Sequence, residues 1–412
     1  MTEVIEKTEN KKGYKKTKLG WIPEDWDVIK LGSIIEESTL KSSVENQLPV
    51  LTSSRRGLMY QTDYYNEQNV IFNKSNIGFN ILPKGYITYR SRSDDGFFTF
   101  NLNKLADGIV SIYYPVFKTK LNDYFVCSLL NISSKILYKY AIGSSQKVLS
   151  ISDLSKISYG IPNLKEQEKI AEILSAWDEG IETLEKLIEH KEIFHKALMK
   201  NLLIGKIRLS EFSSKWTHSK FNSVFERITR KNEELNSNIL TISAQNGLIS
   251  QKDFYNKRIA SVDTSKYILL KNGEFAYNKS YSNGYPLGAI KRLDLYEKGV
   301  VSSLYICFKL NNSDSCSDFW KYYFEAGMLN REIKMIAQEG ARNHGLLNMA
   351  TEDFFNMLLF YPKDIKEQQK IADILNKSEK EIQILNSKLE KLKEQKKGLM
   401  QKLLTGQIRV KI

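Results

Sequence analysis

Two short polar segments in the first half of the chain carry side chains that suit hydrogen bonding to nucleic acid. They are residues 89–96 (YRSRSDDG) and 143–147 (GSSQK), and their counterparts in the second half are residues 277–284 (YNKSYSNG) and 340–344 (GARNH). Arg, Lys, Asn, Gln and Ser are residue types that pair with base edges or phosphates. Polar, glycine-containing loops also occur as simple solvated turns. The matched placement in both halves favours base recognition.

The matched segments differ from each other while the residues around them agree, as two different DNA half-sites would require. Arg55-Arg56 and Gln245-Asn246, in a second pair of matched turns, are weaker candidates of the same kind. The predicted DNA-contacting residues are Arg55, Arg56, Arg90, Arg92, Ser145, Gln146, Lys147, Gln245, Asn246, Asn278, Lys279, Tyr281, Asn283, Arg342, Asn343 and His344.

The sequence lacks the motifs of enzymes that modify or cut DNA. No two prolines are adjacent, so the Asp/Asn-Pro-Pro-Tyr/Phe motif of adenine methyltransferases is absent, and neither G-x-G-x-x-G nor G-K-S/T occurs. Asp318 with Glu332 and Lys334 resembles a nuclease D…E-x-K pattern, but this spacing is common by chance and lies on an amphipathic helix. The histidines and cysteines show no metal-ligand spacing. We predict a non-catalytic chain with no catalytic residue, metal or cofactor of its own.

A duplication positions the polar segments. Residues 165–209 reappear at 366–410 with a constant offset of 201 and no gap. The stretches in front of them match more loosely, for example at residues 57–66 and 247–256. A solenoid repeat has a period of roughly 20–50 residues, so this longer period indicates a copied half-molecule. Two similar halves suit a partner that has two halves, and duplex DNA is the first such partner to consider.

The duplicated segments are predicted to be long helices that form a coiled coil. Their apolar residues recur with alternating four- and three-residue spacing over about five heptads. A proline precedes each helix (Pro162, Pro362) and a glycine follows it (Gly205, Gly406). The predicted helix-pair interface consists of Ile170, Leu174, Trp177, Ile181, Leu184, Ile188, Leu198, Leu202, Ile371, Leu375, Ile382, Leu385, Leu389, Leu392, Leu399 and Leu403.

Chain order predicts that the two helices run antiparallel. The first helix ends where the second globular stretch begins, the second helix starts where that stretch ends, and compact domains usually have their termini close together. The C-terminal residues 408–412 should then reach the first domain and take the place that residues 207–209 take at the second. His195 and Lys396 occupy equivalent polar positions in the seam. We expect His195 to lie on the helix surface, with its ring only partly facing the seam, rather than to bind a ligand.

The predicted fold class is α+β, with two tandem mixed α/β domains, two long helices in an antiparallel coiled coil, and pseudo-two-fold symmetry. Strands are expected at residues 86–89, 109–117, 267–270 and 299–310. The predicted segments are a basic flexible tail (1–18), a first domain (19–160), a first helix (161–208), a second domain (209–360), and a second helix with a C-terminal strand (361–412).

The composition favours an anionic partner and a reducing compartment. A net charge of +13 and a pI near 9.2 attract phosphate groups. A hydrophobic content of 42% is enough for ordinary packed cores. The three cysteines are too few and too scattered for a disulfide framework. The sequence shows neither an apolar run of about 18 residues nor a secretory signal at its start, so we expect a cytoplasmic protein without a membrane partner.

With these features, the chain resembles the specificity subunits of type I restriction–modification systems. The resemblance rests on residues 19–26 (LGWIPEDW), on the prolines before two Glu-Gln helices, and on the Leu-Leu-x-Gly-x-Ile-Arg motifs at residues 202–208 and 403–409. It covers essentially the whole chain. The second domain departs from the pattern, because residues 214–217 (SKWT) replace an intact Ile-Pro-x-x-Trp motif, which blurs where that domain begins.

The resemblance implies two target-recognition domains, each reading one half of a bipartite site in double-stranded DNA. It also implies that the helical pair sets the spacing between the half-sites and docks two methyltransferase subunits. Those subunits would bring S-adenosylmethionine and methylate adenine, and restriction/translocase subunits that use Mg and ATP would join them. None of these cofactors is expected in this chain.

Two other hypotheses stay open at this point. A stand-alone nuclease or methyltransferase would show activity from the purified chain with magnesium or a methyl donor. A coiled-coil adaptor that does not recognise DNA would keep its protein partners while showing salt-independent, sequence-blind behaviour on DNA.

Overall fold

The computed structural model describes residues 12–65, 75–243, 246–252, 263–281, 284–311, 314–339 and 347–411. The chain divides into two compact units. Unit 1 consists of Met1–Glu185 with Ser387–Ile412, and unit 2 consists of Lys186–Asn386. Each unit contains one globular domain together with a part of each long helix, Leu164–Leu203 and Ile365–Leu404.

Unit 1 is built from short antiparallel strands and a few helices. Its strands are Tyr14–Thr17, Gly20–Pro23, Asp27–Lys30, Ile35–Glu37, Leu51–Ser54, Gly57–Tyr60, Asn80–Leu82, Ile87–Tyr89, Arg92–Ser93, Phe100–Leu102, Gly108–Val110, Val116–Thr119, Lys147–Val148 and Ser158–Ile161. Its shorter helices are Leu31–Ser33 (3-10), Gln61–Tyr64, Asp123–Ile132, Ser134–Tyr140 and Ile151–Leu154.

A four-stranded antiparallel sheet forms the centre of unit 1. Its strand order is Phe100–Leu102, Ile87–Tyr89, Val116–Thr119 and Ile35–Glu37. The ring of Tyr89 stacks on Phe100 at 4.5 Å between centroids, and Phe117 meets both rings edge-on. All three side chains are fully buried. Because buried aromatic rings supply large apolar contact areas, this cluster fixes the sheet that positions the polar loops.

Unit 2 has the same kind of architecture. Its strands are Thr217–Lys220, Phe225–Arg227, Leu240–Ser243, Gly247–Ser250, Ile268–Lys271, Phe275–Asn278, Ala289–Arg292, Lys298–Val301, Ile306–Leu310, Gln338–Glu339, Leu347–Asn348 and Leu358–Tyr361. Its shorter helices are Phe221–Val224, Ser317–Glu325, Asn330–Ile336 and Thr351–Asn356.

The central sheet of unit 2 repeats that of unit 1. Its antiparallel strand order is Phe225–Arg227, Ile306–Leu310, Phe275–Asn278 and Ala289–Arg292. The corresponding strands occupy the same positions in both sheets, and aromatic residues again fill the core, with Phe275 stacked on Phe308 at 5.5 Å. The prediction of two related mixed α/β domains is confirmed.

The long helices pair antiparallel within each unit. In unit 1, Lys396 forms an ion pair with Asp178, and Lys393 does so with Glu185 at 2.8 Å. In unit 2, Lys191 contacts Glu381 at 2.7 Å. His195 Nδ1 lies 3.0 Å from Ser378 Oγ, so its ring partly faces the seam as predicted. In each unit, contacts that lie further along the first helix lie further back along the second helix. The two helices therefore run antiparallel.

The sixteen predicted interface residues are all buried or half-buried. The ends of the helices also pack into the hydrophobic cores of the units. Ile170 and Leu403 belong to the core of unit 1, and Leu202 and Ile371 belong to the core of unit 2. Each helix is therefore anchored in a globular domain at each end.

Two terminal predictions are wrong in part. Residues 14–17, placed in a flexible tail by their polarity, form a strand that pairs with Gly20–Pro23, and Tyr14 donates a hydrogen bond to the carbonyl of Gly406 at 2.6 Å. Residues 405–411 contain no strand. Side-chain ion pairs of Arg409 hold this segment instead. Among the described residues, no helix combines the length and the apolar composition needed to cross a membrane.

Candidate nucleic-acid interface

A cleft in unit 1 gathers the four predicted arginines. It has a volume of about 850 Å³, and Arg55, Arg56, Arg90 and Arg92 all line it. Three carboxylates line it as well, those of Asp63, Asp94 and Asp95. The wall is therefore rich in hydrogen-bond donors but close to neutral in charge. A surface that only clamped phosphates would have no need for the carboxylates, so this mixture favours contact with base edges.

A hairpin of unit 1 carries two of these arginines. Arg55 and Arg56 form the two-residue turn of the hairpin between Leu51–Ser54 and Gly57–Tyr60. The buried amide of Asn101 donates to Ser53 Oγ at 2.7 Å and thereby ties this hairpin to the central sheet. Because this contact is buried and polar, it orients the turn more firmly than a solvated contact would.

The two polar segments of unit 1 lie side by side. Arg92–Ser93 pairs with Lys147–Val148 as a two-stranded antiparallel ribbon, in which Ser93 faces Lys147. The amide of Gln146 donates to Asp94 at 2.7 Å across the ribbon. Residues 89–96 and 143–147 thus lie next to each other in the structure. The major groove of DNA is wide enough for a two-stranded ribbon.

The hairpin that carries Ser145 requires a glycine. Gly143 has a φ of +109°, and a Cβ at this position would lie 2.2 Å from the carbonyl oxygen of Gln146. Ser145 is exposed at the turn, and the ammonium of Lys147 lies 4.8 Å from the ring centre of Tyr138. The tight turn therefore presents Ser145 to solvent while it keeps Lys147 against an aromatic ring.

An ion pair organises one side of the cleft. Arg55 forms an ion pair with Asp95, which also accepts hydrogen bonds from the Phe97 amide at 3.1 Å and from Ser93 Oγ at 2.9 Å. The hydrogen bond from Arg55 is the largest cause that lowers the pKa of Asp95 to about 2, followed by the Phe97 and Ser93 donors. Asp95 therefore carries its negative charge at any physiological pH.

Two candidates of unit 2, Asn278 and Lys279, lie on elements equivalent to those of unit 1. Asn278 ends a central strand, and the carbonyl of Lys279 accepts a hydrogen bond from the amide of Leu347 at 3.1 Å. In unit 1 the carbonyl of Ser91 accepts from the amide of Leu149 at 2.9 Å in the same way. In each unit, the chain just beyond the second polar segment therefore makes the same backbone contact with the first polar segment.

The other candidates of unit 2 are placed only in part. Tyr281 is 62% exposed. Asn246 is exposed in a hairpin turn, where its amide donates to Ser243 Oγ at 3.1 Å. A cleft of about 560 Å³ in this unit is lined by residues 235–239, 250–252 and 263–264, which include none of the candidates. The predicted Gln245, Asn283, Arg342, Asn343 and His344 lie outside the described residues.

Exposed aromatic residues beside the arginines were missed in the sequence. Phe97 is 58% exposed and lies 5.9 Å from the guanidinium of Arg55. Tyr113 is 47% exposed and lies under Arg92. Pro115 could have indicated the turn that contains Tyr113, because a proline inside an expected strand argues for a break or a turn. The structure places a turn there, between strands Gly108–Val110 and Val116–Thr119.

No catalytic centre is assembled from the described residues. They contain no group of three or more His, Cys, Asp or Glu side chains arranged to hold a metal ion. Asp318 forms an ion pair with Arg292 at 2.7 Å, which gives this residue of the nuclease-like pattern a structural partner. Burial raises the pKa of the Cys127 and Cys307 thiols to about 12, so both are protonated and unreactive at neutral pH.

Comparisons with known proteins agree with this architecture. The family model described as the type I restriction modification DNA specificity domain matches residues 23–192. A putative type I restriction enzyme MjaX specificity subunit from Methanocaldococcus jannaschii is 23% identical, and the alignment covers 97% of each chain. The chain is thus similar to the specificity subunits of type I restriction–modification systems.

A second relative and two solved structures resemble this chain as well. The MjaIX specificity subunit from Methanocaldococcus jannaschii is 31% identical, but that alignment spans only 46% of each chain. The S subunit from M. genitalium has a TM-score of 0.52 at 14% identity and covers 92% of this chain and 96% of its own. A structure described as explaining complex assembly and conformational transition of the type I R-M system has a TM-score of 0.54 at 13% identity, covering 94% and 99%. At these identities, the structural matches establish the fold alone.

Proposed function

We propose that this chain selects a bipartite DNA sequence for a methyltransferase and endonuclease complex, with one half-site read by each globular domain. The observation that carries the proposal is the unit 1 cleft, where four arginines from two separate loops meet beside a two-stranded ribbon. Equivalent elements in unit 2 carry different polar residues, Asn278, Lys279 and Tyr281. Related scaffolds with different contact residues would give each domain a different half-site.

The long helices are proposed to set the distance between the half-sites. Each contains 40 residues. At 1.5 Å per residue this corresponds to about 60 Å, or on the order of 18 base pairs at 3.4 Å per pair. The same helical pair is proposed to dock two methyltransferase subunits, which hold S-adenosylmethionine. Restriction/translocase subunits that use Mg and ATP complete the complex, and this chain supplies no catalytic group of its own.

Mapping adenine methylation across the genome of the source strain, with and without this gene, tests the proposal. We expect deletion to remove methylation from one bipartite motif and to leave all other motifs unchanged. Restoring the gene on a plasmid should restore that motif, which controls for effects on neighbouring genes. If the map is unchanged in a strain that makes the complex, the proposal is wrong.

Purified components separate this function from the alternatives. The complex of this chain with methyltransferase subunits should bind the bipartite duplex more tightly than a scrambled duplex. The chain alone should show neither nuclease nor methyltransferase activity with magnesium or a methyl donor. Activity from the chain alone would instead support a stand-alone enzyme, and salt-independent, sequence-blind behaviour on DNA would support an adaptor.

A further inference from the structure

The four arginines of the unit 1 cleft differ in what their guanidinium groups contact. Arg55 is engaged by the carboxylate of Asp95. The side chains of Arg56 and Arg90 make no hydrogen bond or ion pair with any residue that the structure describes. The guanidinium of Arg92 lies 4.3 Å from the ring centre of Tyr113. Arg55 also lies near the ring of Phe97, at 5.9 Å, but its guanidinium is held by Asp95, whereas Arg92 contacts an aromatic ring and has no ion-pair partner among the described residues.

Stacking holds a guanidinium without using its N–H groups. The guanidinium of Arg92 lies over the ring of Tyr113, and the part of the chain described here offers its N–H groups no hydrogen-bond acceptor. An arginine presents its donors in a rigid planar fork, so fixing the plane also fixes the direction of those donors. Arg92 is therefore oriented before any ligand arrives, whereas Arg56 and Arg90 are oriented only by their own rotamers.

The turn that carries Tyr113 is itself anchored through its backbone. The amide and the hydroxyl of Ser91 both donate to the carbonyl of Tyr113, at 3.1 and 2.8 Å. The amide of Asn80 donates to the carbonyl of Tyr114 at 2.7 Å. Because Ser91 is the neighbour of Arg92, these bonds join the Tyr113 turn directly to the strand that carries the arginine. The ribbon pairing of Arg92 with Val148 fixes the other side.

We propose that Arg92 reads a guanine in the half-site recognised by unit 1, donating two hydrogen bonds to the O6 and N7 atoms. A bidentate arginine–guanine contact in the major groove is the commonest specific contact between proteins and DNA, and it needs a pre-aimed planar fork. Tyr113 is the positioning residue, since holding the fork in place reduces the ordering that binding requires. This inference rests on the proposed function and adds the base and the residue pair to it.

The test uses the full-length chain in its complex with methyltransferase subunits. Rates of methylation are compared on the cognate duplex and on duplexes in which each guanine of the two half-sites is replaced by 7-deazaguanine, which lacks the N7 acceptor. For the unaltered chain, we expect replacement of one guanine to slow methylation markedly. Arg92→Ala should slow methylation of the cognate duplex by roughly 5- to 150-fold and should abolish the difference between guanine and 7-deazaguanine at that position.

Matched variants separate positioning from folding. Arg92→Lys keeps the charge and a guanine donor but loses the planar fork, so it should weaken the guanine preference less than Arg92→Ala does. Tyr113→Leu should weaken the preference at the same guanine, while Tyr113→Phe keeps the ring and should behave like the unaltered chain. Arg56→Ala should slow methylation of all the duplexes by a similar factor. Thermal unfolding of each variant identifies any that fails to fold. If Tyr113→Leu fails to fold, the test relies on Arg92→Lys instead.

The outcomes distinguish this inference from the function on which it rests. If Arg92→Ala and Arg92→Lys retain every guanine preference, the assignment of Arg92 is wrong while the proposed function stands. A half-site for unit 1 that contains no guanine on either strand overturns the assignment equally. A complex that shows no preference for any duplex sequence would overturn the proposed function itself.

Discussion

Arg409 and Glu166 are 243 positions apart in the sequence and form a two-point ion pair in unit 1. Arg409 Nε donates to Glu166 Oε1 and Arg409 Nη2 donates to Glu166 Oε2, both at 2.7 Å. Glu166 is fully buried and also accepts from Trp26 Nε1 at 3.1 Å. The end of the chain is thereby fastened to the start of the first long helix, in agreement with the predicted return of the C-terminus to the first domain.

Unit 2 contains the equivalent arrangement within the continuous chain. Arg208 donates two hydrogen bonds to the buried carboxylate of Glu367, at 3.0 and 2.9 Å, and Trp216 Nε1 donates a third at 3.1 Å. The same Trp, Glu and Arg thus meet in both units. In unit 1 the Arg comes from the segment that follows the second long helix, 243 positions from Glu166.

Replacing Arg409 with Ala should destabilise unit 1. The substitution leaves the buried carboxylate of Glu166 with Trp26 as its remaining donor, and an unsatisfied buried polar group costs about 1–3 kcal/mol. Urea and thermal unfolding of the full chain measure the loss. Lys411→Ala, an exposed neighbour, is the control and should leave stability unchanged. Unchanged unfolding of Arg409→Ala, and of a chain that lacks residues 408–412, would rule out a stabilising role for this closure.

The helical pair in unit 2 should weaken at acidic pH because of His195. Burial lowers the pKa of His195 below its usual value, while Glu379 raises it and Lys321 lowers it further. The unfolded chain therefore binds a proton more readily than the folded chain as the pH falls below about 6.5. The stabilising contribution is present above that pH and is lost as the pH falls through the folded-state pKa.

Thermal unfolding at pH 7.5 and 5.5 tests this pH dependence. His195→Gln should show a smaller drop in unfolding temperature between the two pH values than the unaltered chain. His190 lies exposed on the same helix, so His190→Gln is the matched control and should keep the full drop. An equal drop in all three proteins would show that other groups cause any acid sensitivity.

The hydrogen bond from Arg55 should keep the pKa of the Asp95 carboxyl below its usual value. The pKa of Asp95 is lowered to about 2, first by the hydrogen bond from Arg55. A depressed pKa means that the stabilisation is present above the unfolded value of about 3.9 and is lost as the pH falls toward 2. An NMR titration of the Asp95 carboxyl carbon should give a midpoint near 2, and Arg55→Ala should raise that midpoint toward about 3.9. An unmoved midpoint in the variant would contradict the ion pair.

Contacts in the two units should act on different half-sites. Lys279→Ala should weaken binding by about 1–3 kcal/mol if Lys279 contacts a base, and this effect should vanish once the half-site of unit 2 is scrambled. Arg90 lies in unit 1. The loss of binding caused by Arg90→Ala should therefore vanish only when the half-site of unit 1 is scrambled. Competition binding of the methyltransferase complex with singly scrambled duplexes measures both effects. Equal losses on every duplex would identify these residues as phosphate contacts.

The helical part of the fold was determined by the sequence. Ile170 and Leu174, with their counterparts Ile371 and Leu375, follow a spacing that only a helix converts into a single apolar face. All four are buried as predicted. Duplication of whole segments likewise identified the matching strands, because equivalent residues in two copies occupy equivalent places in one fold. These features depend on periodicity and self-similarity, which a single chain displays directly.

The arrangement of the candidate site was decided by tertiary structure. The guanidinium of Arg92 lies over the ring of Tyr113. Tyr113 belongs to a turn, although residues 109–117 are predicted from the sequence to form one strand. Arg55 meets Asp95, 40 positions away, and Gln146 meets Asp94, 52 positions away. Local propensity carries no information about such pairs, because they depend on how separate loops leave the central sheet. Residue type thus indicated which side chains suit DNA, while the packing of the sheet decided which arginine is held in place and which remain free.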